Sequence, residues 1–167
     1  SAASTWSAPL PLADQQNGLV IDTAVTFTSD GNAMLVWSAI PDVGDDPREF
    51  IHRAAATNLF YSHMNAGGGW SRPEALTSDN RPDQATVAAA DGEGRTVLAW
   101  ARDMDGTVLT VDDIAIYASE WIAGSWTTPT PVMSAPNAVS ELTVSVSSGT
   151  AIVGIVADAH GTGRAIK

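Results

Sequence analysis

Cysteine is absent from the chain, and lysine occurs once, as the last of its 167 residues. Without cysteine the chain can form neither a disulfide nor a thiolate metal site. It also lacks any apolar run of about 18 residues, so no membrane-spanning helix is predicted. Asp and Glu outnumber Lys and Arg by 19 to 8. The resulting net charge of −11 disfavours nucleic-acid binding, because the phosphates of the nucleic acid would be repelled.

The residues that are abundant indicate a folded protein. Apolar residues make up 44% of the chain, and aromatic and β-branched residues are spread along its length, which disfavours disorder. Scarce lysine combined with many Thr, Ser, Ala and Trp residues is typical of bacterial proteins that are secreted or held in the cell envelope. We therefore predict an extracellular or envelope location in a bacterium.

An internal repeat organises the sequence. A Trp-Ser/Thr-x-Pro pattern occurs three times, as Trp6-Ser7-Ala8-Pro9, Trp70-Ser71-Arg72-Pro73 and Trp126-Thr127-Thr128-Pro129. Asp-Gly pairs at 30–31 and 91–92 precede apolar runs that end in Trp37 and Trp100. A further marker places Tyr61 and Tyr117 at matching positions. Because the markers recur in the same order, the chain consists of successive similar units.

Each unit is predicted to contain four short antiparallel strands, named a to d in chain order. The Asp-Gly pair forms the a–b hairpin, since glycine tolerates positive φ. Prolines at 73 and 129 lie in strand d and cannot donate to a ladder, so strand d is an edge. The predicted fold is all-β, with no helical segment. The units cover residues 6–12 (strand d alone), 22–76, 83–132 and 142–167 (partial).

The turn before strand d resembles the Asp-box of sialidase-like β-propellers. Asn65, Gly67 and Trp70 fall on that pattern, whereas the second copy, before Trp126, departs from it in spacing and lacks the acidic or amide residue. In that family the box is a folding element and not part of the active site. The resemblance implies that residues 1–167 form one incomplete propeller of about 2.5–3 blades. Either the remaining blades of a longer chain or self-association would then complete the ring.

The loops between strands b and c are long and acidic in both full units. Asp45 and Asp46 lie in the first loop, and Asp103 and Asp105 lie in the second. In propellers these loops lie on the face that usually binds ligands. The carboxylates could bind Ca²⁺, which prefers oxygen ligands, or they could be solvated polar groups, and the sequence leaves both interpretations open. No other cofactor is predicted. Arg48 and Arg102, in the same loops, are candidate ligand contacts.

Four tryptophans occupy repeated positions, which favours packing between blades over ligand contact. These structural residues are Trp37, Trp100, Trp70 and Trp126. Trp121 breaks the repeat. We predict that it lies exposed in the turn between strands c and d, where it would be the best candidate for a contact with a carbohydrate.

No catalytic residue is assigned. A sialidase would be expected to show an arginine cluster, a tyrosine nucleophile with a glutamate partner, and an aspartate acid/base. Here the arginines are scattered, no Arg-Ile-Pro segment occurs, and the two tyrosines match each other as strand residues. We therefore predict a non-catalytic binding or scaffold module whose ligand is a carbohydrate or a protein surface. The alternative is a fragment of a glycoside hydrolase whose catalytic residues lie outside this chain.

Overall fold

A computed structural model describes residues 8–9, 12, 18–28, 31–41, 47–110, 112–135, 137–158 and 164–165. Trp6, Asp45 and Asp46 lie outside the described residues, and for Arg48 only the backbone is described. The predictions made for these four residues are therefore not tested. Most of the described residues belong to antiparallel β-strands, which confirms the predicted all-β character apart from one short helix. Within the described ranges, no helix has the length and apolar character needed to cross a bilayer.

The first sheet contains four antiparallel strands in sequential order. They are β1 (Gly18–Phe27), β2 (Ala33–Pro41), β3 (Asn58–Met64) and β4 (Glu74–Ala75). Gly31 adopts a φ of 79° in the predicted hairpin between β1 and β2, a conformation that glycine reaches without strain. The outer edge of this sheet is short. It consists of an isolated bridge between Met64 and Trp70 and of the two residues of β4.

The second sheet follows the same plan, but its outer edge is divided into two pieces. Its strands are β5 (Asp83–Ala90), β6 (Thr96–Asp103), β7 (Ile114–Ile122), β8 (Ser125–Trp126) and β9 (Thr130–Ser134). Both β8 and β9 pair with β7. Pro129 lies between them, and its missing N–H fits the predicted edge position. Trp100 was predicted to end strand b, but β6 continues to Asp103.

The third sheet has three antiparallel strands, one more than the sequence predicted. They are β10 (Val139–Ser147), β11 (Thr150–Asp158) and β12 (Arg164–Ala165). Ser148 and Gly149 have φ values of 47° and 80°, so both are in the left-handed region that a two-residue type I′ hairpin requires.

A helix, α1 (Pro47–Ala54), corrects the prediction that strands b and c of the first unit are joined by a loop alone. Proline is favoured at the first helical position. Glu49 lies in the first turn, where its charge suits the helix dipole, and accepts a hydrogen bond of 3.1 Å from Arg53 Nε one turn later. Thr57 Oγ1 donates to Ala54 C=O at the other end. At eight residues the helix is too short to show a clear apolar period in the sequence.

Two apolar layers hold the three sheets together. The layer between the first and second sheets contains Met34, Val36, Leu59, Tyr61, Leu98 and Trp100. The layer between the second and third sheets contains Ala101, Ile114, Ile116 and Ala135, with Val139, Leu142, Val153 and Ile155 against them. β6 is therefore buried along its whole length, and each large apolar side chain in it contributes roughly 1.5–3 kcal/mol to stability. The first strands also lie side by side, because β5 contacts both β1 and β10.

The strand register corrects the predicted match between Tyr61 and Tyr117. Trp37 pairs with Phe60 at a ring distance of 6.1 Å, and Trp100 pairs with Tyr117 at 6.0 Å. Phe60 is therefore the structural equivalent of Tyr117. Tyr61 points to the opposite face of its sheet, because side chains alternate along a strand and a shift of one residue changes the face.

Candidate functional site

Each of the three first strands contains a β-bulge at a similar level of its sheet. Pairing with the neighbouring strand slips within residues 20–22, 84–87 and 139–141. In the second of these bulges Ala85 adopts a φ of 54°. Bulges interrupt the ladder and re-aim side chains, and they are over-represented next to ligand sites. Because β5 lies between β1 and β10, the three bulges surround a common region.

A pocket of about 260 Å³ lies between these bulges and the loop that follows β6. We call it the bulge pocket. Its apolar lining includes Ile21, Ala85, Val108, Ile114 and Val139, and its polar lining includes Asp22, Gln84, Asp103 and Thr110. Lysine and arginine are absent from the described residues that line it. The pocket thus combines apolar walls with two carboxylates.

Two polar side chains at the bulges each have a buried oxygen atom without a hydrogen-bond partner among the described residues. Asp22 Oδ2 lies 3.4 Å from the Thr86 backbone nitrogen and accepts its hydrogen bond. Asp22 Oδ1 and Thr86 Oγ1 are both buried and have no hydrogen-bond partner among the described residues. Buried polar atoms are normally paired, so atoms left unpaired beside a pocket favour a ligand or an ordered water there.

Asp103 is 2% exposed and lies at the end of β6, where the bulge pocket meets the acidic loop. Burial raises the pKa of its carboxyl group, and the nearby carboxylates of Asp113 and Asp105 raise it further. A 2.7 Å hydrogen bond from the Gly106 N–H to Asp103 Oδ1 partly opposes that rise. The carboxyl group of Asp103 therefore holds its proton to a higher pH than an exposed aspartate does.

The predicted pair Asp103 and Asp105 is joined in space by Asp113, and oxygens of the three carboxylates lie within 4.8 Å of one another. Such a set could hold a hard cation. Each carboxylate already accepts a backbone N–H: Asp113 Oδ2 accepts those of Met104 and Asp105, and Asp105 Oδ1 accepts that of Thr107. These hydrogen bonds order the loop, and the two interpretations of its carboxylates, as a Ca²⁺ site or as solvated polar groups, both stay predictions.

The sequence predicted that Arg102 lies in the acidic loop after strand b. It lies instead within β6, where it is 7% exposed. Its Nε and Nη2 donate to the two oxygens of Asp83 at 2.7 and 2.9 Å, and Trp100 Nε1 donates to the same carboxylate at 2.7 Å. The guanidinium also lies 4.7 Å from the Tyr117 ring centre. Burial raises the pKa of Asp83, and the bonds from Arg102 and Trp100 oppose that rise. Arg102 is therefore engaged inside the sheet and is not placed to contact a ligand.

Trp121 was predicted to be exposed in a turn, but it lies within β7 and is half-buried. Its ring centre is 5.6 Å from that of Tyr61, 5.5 Å from that of Trp126 and 5.7 Å from that of His63. The turn itself consists of Ala123 and Gly124, both with positive φ. Trp121 therefore packs between the first and second sheets.

The repeated Ser/Thr of the Trp-Ser/Thr-x-Pro pattern fastens the outer edge to the third strand. Ser62 Oγ donates to Ser71 C=O at 2.8 Å, and Ser119 Oγ donates to Thr127 C=O at 2.7 Å. The hydroxyls of Ser71 and Thr127 in turn accept a backbone N–H from the third strand at 3.1 and 3.0 Å. The sequence pattern contained these residues, but their hydrogen-bonding role emerged only from the structure.

The turn before Trp70, whose sequence resembles an Asp-box, is closed by its backbone. The Gly68 N–H donates to the Asn65 C=O at 2.8 Å, and Asn65 and Gly67 are exposed. Trp70 and Trp126 hold the same place in their sheets, since each pairs with the last part of the third strand. Trp126 packs edge-on against Tyr61 at 5.8 Å, whereas Trp70 is 39% exposed.

No family model and no curated protein matches the chain. Among solved structures, it is similar to the Hadza microbial sialidase Hz136, with a TM-score of 0.56 and 15% identity over 83% of this chain and 29% of that one. It is also similar to Zg3597, a family 117 glycoside hydrolase from the marine bacterium Zobellia galactanivorans, with a TM-score of 0.56 and 13% identity over 89% of this chain and 51% of that one. The chain thus spans less than two thirds of either structure. The likeness supports a propeller-like fold and extends no further.

Proposed function

We propose that the chain is a non-catalytic binding and scaffold module of β-propeller type, in an extracellular or envelope setting, with its three sheets as consecutive blades. The arrangement of the first strands supports the blade assignment, because β1, β5 and β10 lie side by side while each sheet packs on the next. The likeness to propeller-like solved structures supports it as well. Blades of four antiparallel strands around an axis meet these conditions.

The ligand that we propose for the bulge pocket is a neutral carbohydrate. The observation that carries this proposal is the lining itself, which offers apolar walls for sugar C–H groups and the carboxylates of Asp22 and Asp103 as acceptors for hydroxyls. At about 260 Å³ the pocket lies just below the usual range for small-molecule sites, so it suits one sugar ring. A sugar acid is disfavoured, because the described lining supplies two carboxylates and no cationic side chain.

Binding can be measured by calorimetric or NMR titration with neutral monosaccharides, and with sialic acid as the acidic comparison. We expect one or more neutral sugars to bind and sialic acid not to bind. Asp22→Ala removes an acceptor whose Oδ1 has no protein partner among the described residues. Loss of a charged hydrogen bond should weaken binding by about tenfold or more.

Asp112→Ala is the matched control, because Asp112 is exposed and is not among the residues that line the bulge pocket. It makes the same change in charge and should leave the affinity unchanged. Two results would overturn the carbohydrate proposal: no neutral sugar binds to the folded wild-type protein, or Asp22→Ala binds as tightly as the wild type.

A second candidate function is that of a glycoside hydrolase fragment, and one observation favours it. Glycosidases use two carboxyl groups, one of which starts out protonated, and Asp103, whose pKa is raised by burial, lines the same pocket as the carboxyl group of Asp22. Hydrolysis of aryl glycosides by the wild-type chain, lost in a folded Asp103→Asn variant, would support this candidate over a non-catalytic module. If no glycoside is hydrolysed while a sugar still binds, the non-catalytic proposal stands.

A further inference from the structure

A second cavity lies between the outer edges of the first and second sheets, and we call it the edge groove. Its volume of about 520 Å³ is twice that of the bulge pocket. One wall consists of β4 with Tyr61 and Leu76 beside it, and the other wall consists of residues 124–129, which include β8. Among the described residues, none lines both cavities. The edge groove is therefore a separate candidate site.

The edge groove exists because the outer edges of both sheets are interrupted. In the first sheet β4 has two residues, and beyond it the Leu76 N–H donates to the Leu59 C=O at 2.8 Å. In the second sheet residues 127–129 separate β8 from β9, and the Thr127 N–H donates to the Glu120 C=O at 2.8 Å. These main-chain hydrogen bonds fix both walls, so the groove is preformed, as small-molecule sites usually are.

Aromatic side chains form the deepest part of the edge groove. Tyr61 is 9% exposed, and the half-buried Trp126 packs against it with a ring distance of 5.8 Å and an angle of 80° between the ring planes. Trp121 contacts Trp126 in turn at a ring distance of 5.5 Å. Leu76 and Pro129, both half-buried, add apolar surface to the two walls. The groove thus offers the C–H groups of a ligand an apolar surface that residues of both sheets hold in place.

A hydrogen-bond acceptor and a donor lie beside this apolar surface. The Tyr61 hydroxyl donates to Oε2 of the exposed Glu74 at 3.1 Å. Burial, this hydrogen bond and the negative charge of Glu74 together raise the pKa of Tyr61 to about 12, so the hydroxyl keeps its proton at neutral pH and orients the carboxylate. The Nε1–H of Trp126 is buried and has no acceptor among the described residues. Buried donors are normally paired, which favours an acceptor supplied by a ligand or by water.

The charge of the edge groove favours a ligand without acidic groups. Glu74 is charged, and the described lining contains no lysine, arginine or histidine that could pair with an anion. A hydroxyl group suits the site, because it can donate to the carboxylate and accept from the indole N–H. An extended peptide fits less well, since peptides that bind beside a sheet usually add a strand to a continuous edge, and here Pro129 interrupts one edge and β4 has two residues.

We propose that the edge groove is a second binding site, which takes a neutral oligosaccharide of about two sugar rings. The bulge pocket suits one ring, and the edge groove has twice its volume. Hydroxyls of the saccharide donate to Glu74 and accept from Trp126, and its C–H groups pack on Tyr61, Leu76 and Pro129. This second site goes beyond the proposed function, because it uses none of the described residues that line the bulge pocket.

The indole N–H resonances of the six tryptophans provide the test. Trp126→Phe and Trp70→Phe each remove one resonance from the proton–nitrogen correlation spectrum and so assign it. Titration of the wild type with neutral di- and trisaccharides should shift the Trp126 resonance. The Trp70 resonance should stay in place, because Trp70 holds the same position in the first sheet but is not among the residues that line the groove. A disaccharide of uronic acids is the acidic comparison and should not bind.

Two variants measure the contribution of the polar groups. Glu74→Ala should weaken oligosaccharide binding by about tenfold or more, because it removes a charged acceptor. Trp126→Phe keeps an aromatic ring against Tyr61 and loses the N–H, so it should weaken binding by about three- to tenfold. Glu93→Ala makes the same change in charge as Glu74→Ala and should leave the affinity unchanged, because Glu93 is exposed and is not among the residues that line either cavity.

Asp22→Ala separates this site from the bulge pocket, since it should leave the oligosaccharide affinity of the edge groove unchanged. The edge groove is not a saccharide site if no neutral oligosaccharide shifts the Trp126 resonance, or if Glu74→Ala binds as tightly as the wild type. A shift caused by an extended peptide and by no saccharide would likewise overturn the proposal and assign the groove to peptides. Sugar binding that depends on Asp22 and leaves the Trp126 resonance in place would overturn the second site and leave the proposed function standing.

Discussion

The first and second sheets share a strand order, a hairpin with a positive-φ glycine and a tryptophan packed beside an aromatic ring on the next strand. They differ at one position of their second strands. In the second sheet Arg102 pairs across the ladder with Asp83, and both are buried. The equivalent pair in the first sheet is Ala39 and Val20. The same strand plan therefore accommodates either a buried ion pair or two apolar residues. The repeat determines where strands lie, and the packing of each sheet determines which polar groups can be buried there.

The largest effect that we predict comes from breaking this ion pair. Arg102→Met removes both hydrogen bonds to Asp83 and leaves a carboxylate that is completely buried. Removing one partner of a buried pair typically costs about 3–5 kcal/mol, because the other charge remains unpaired. Chemical denaturation at neutral pH should show a loss of that size.

The double variant Asp83→Val, Arg102→Ala copies the first sheet and serves as the comparison. Replacing both members of a buried ion pair by apolar residues is often neutral or stabilising, so the double variant should recover part of the lost stability. The recovery is incomplete because Trp100 Nε1 loses its acceptor when Asp83 is replaced. If the double variant is as unstable as Arg102→Met, the two sheets are not interchangeable at this position and the comparison fails.

A second, smaller effect should distinguish two equivalent faces: the face of the second sheet that packs on the first sheet, and the face of the first sheet that points away from the second. Leu98 is completely buried between two sheets, whereas its equivalent Leu35 is half-buried. Leu98→Ala should destabilise the protein by about 2–5 kcal/mol. Leu35→Ala should cost less than half as much. Equal losses would mean that the face of the first sheet that carries Leu35 is covered as fully as its counterpart on the second sheet.

The sequence predicted the sheets well because hairpin turns and cross-strand aromatic residues are local signals. Asp-Gly at 91–92 and the run ending in Trp100 were enough to place β5 and β6. Which residue of one sheet is equivalent to which residue of the next cannot be read from local signals. Tyr61 was matched with Tyr117 although Phe60 is the true equivalent, because a one-residue difference in the connection is invisible without the register.

The candidate site was less predictable for a related reason. Arg102 stands beside the aspartates of an acidic loop in the sequence, and only the position where β6 ends reveals that it points into the sheet. Trp121 was misplaced because the turn after β7 is shorter than the turn after β3, which keeps Trp121 within the strand. Asp22 carried no signal at all, since its position depends on a bulge that the alternation of residues does not announce.

The smallest predicted effect concerns Asp103, the buried carboxyl group at the end of β6 where the acidic loop of the second sheet begins. Because the pKa of Asp103 is raised in the folded protein, the folded state binds more protons than the unfolded state between the two pKa values. The contribution of Asp103 to stability is therefore most favourable below its unfolded pKa of about 3.9 and is lost as the pH rises through the folded value.

Asp103→Asn keeps an oxygen that can accept the Gly106 N–H and removes the charge. The variant should be more stable than the wild type at pH 7, by less than about 1 kcal/mol because solvent screens the neighbouring exposed carboxylate, and this advantage should shrink as the pH falls toward 4. Thermal melts between pH 4 and 7 in the presence of a chelator measure the difference. Asp112→Asn, an equal change in charge at an exposed site, separates this local effect from the relief of the overall negative charge. An advantage of Asp103→Asn that stays constant with pH would show that the charge of Asp103 is not disfavoured in the fold, and that the loop tolerates its three carboxylates without cost.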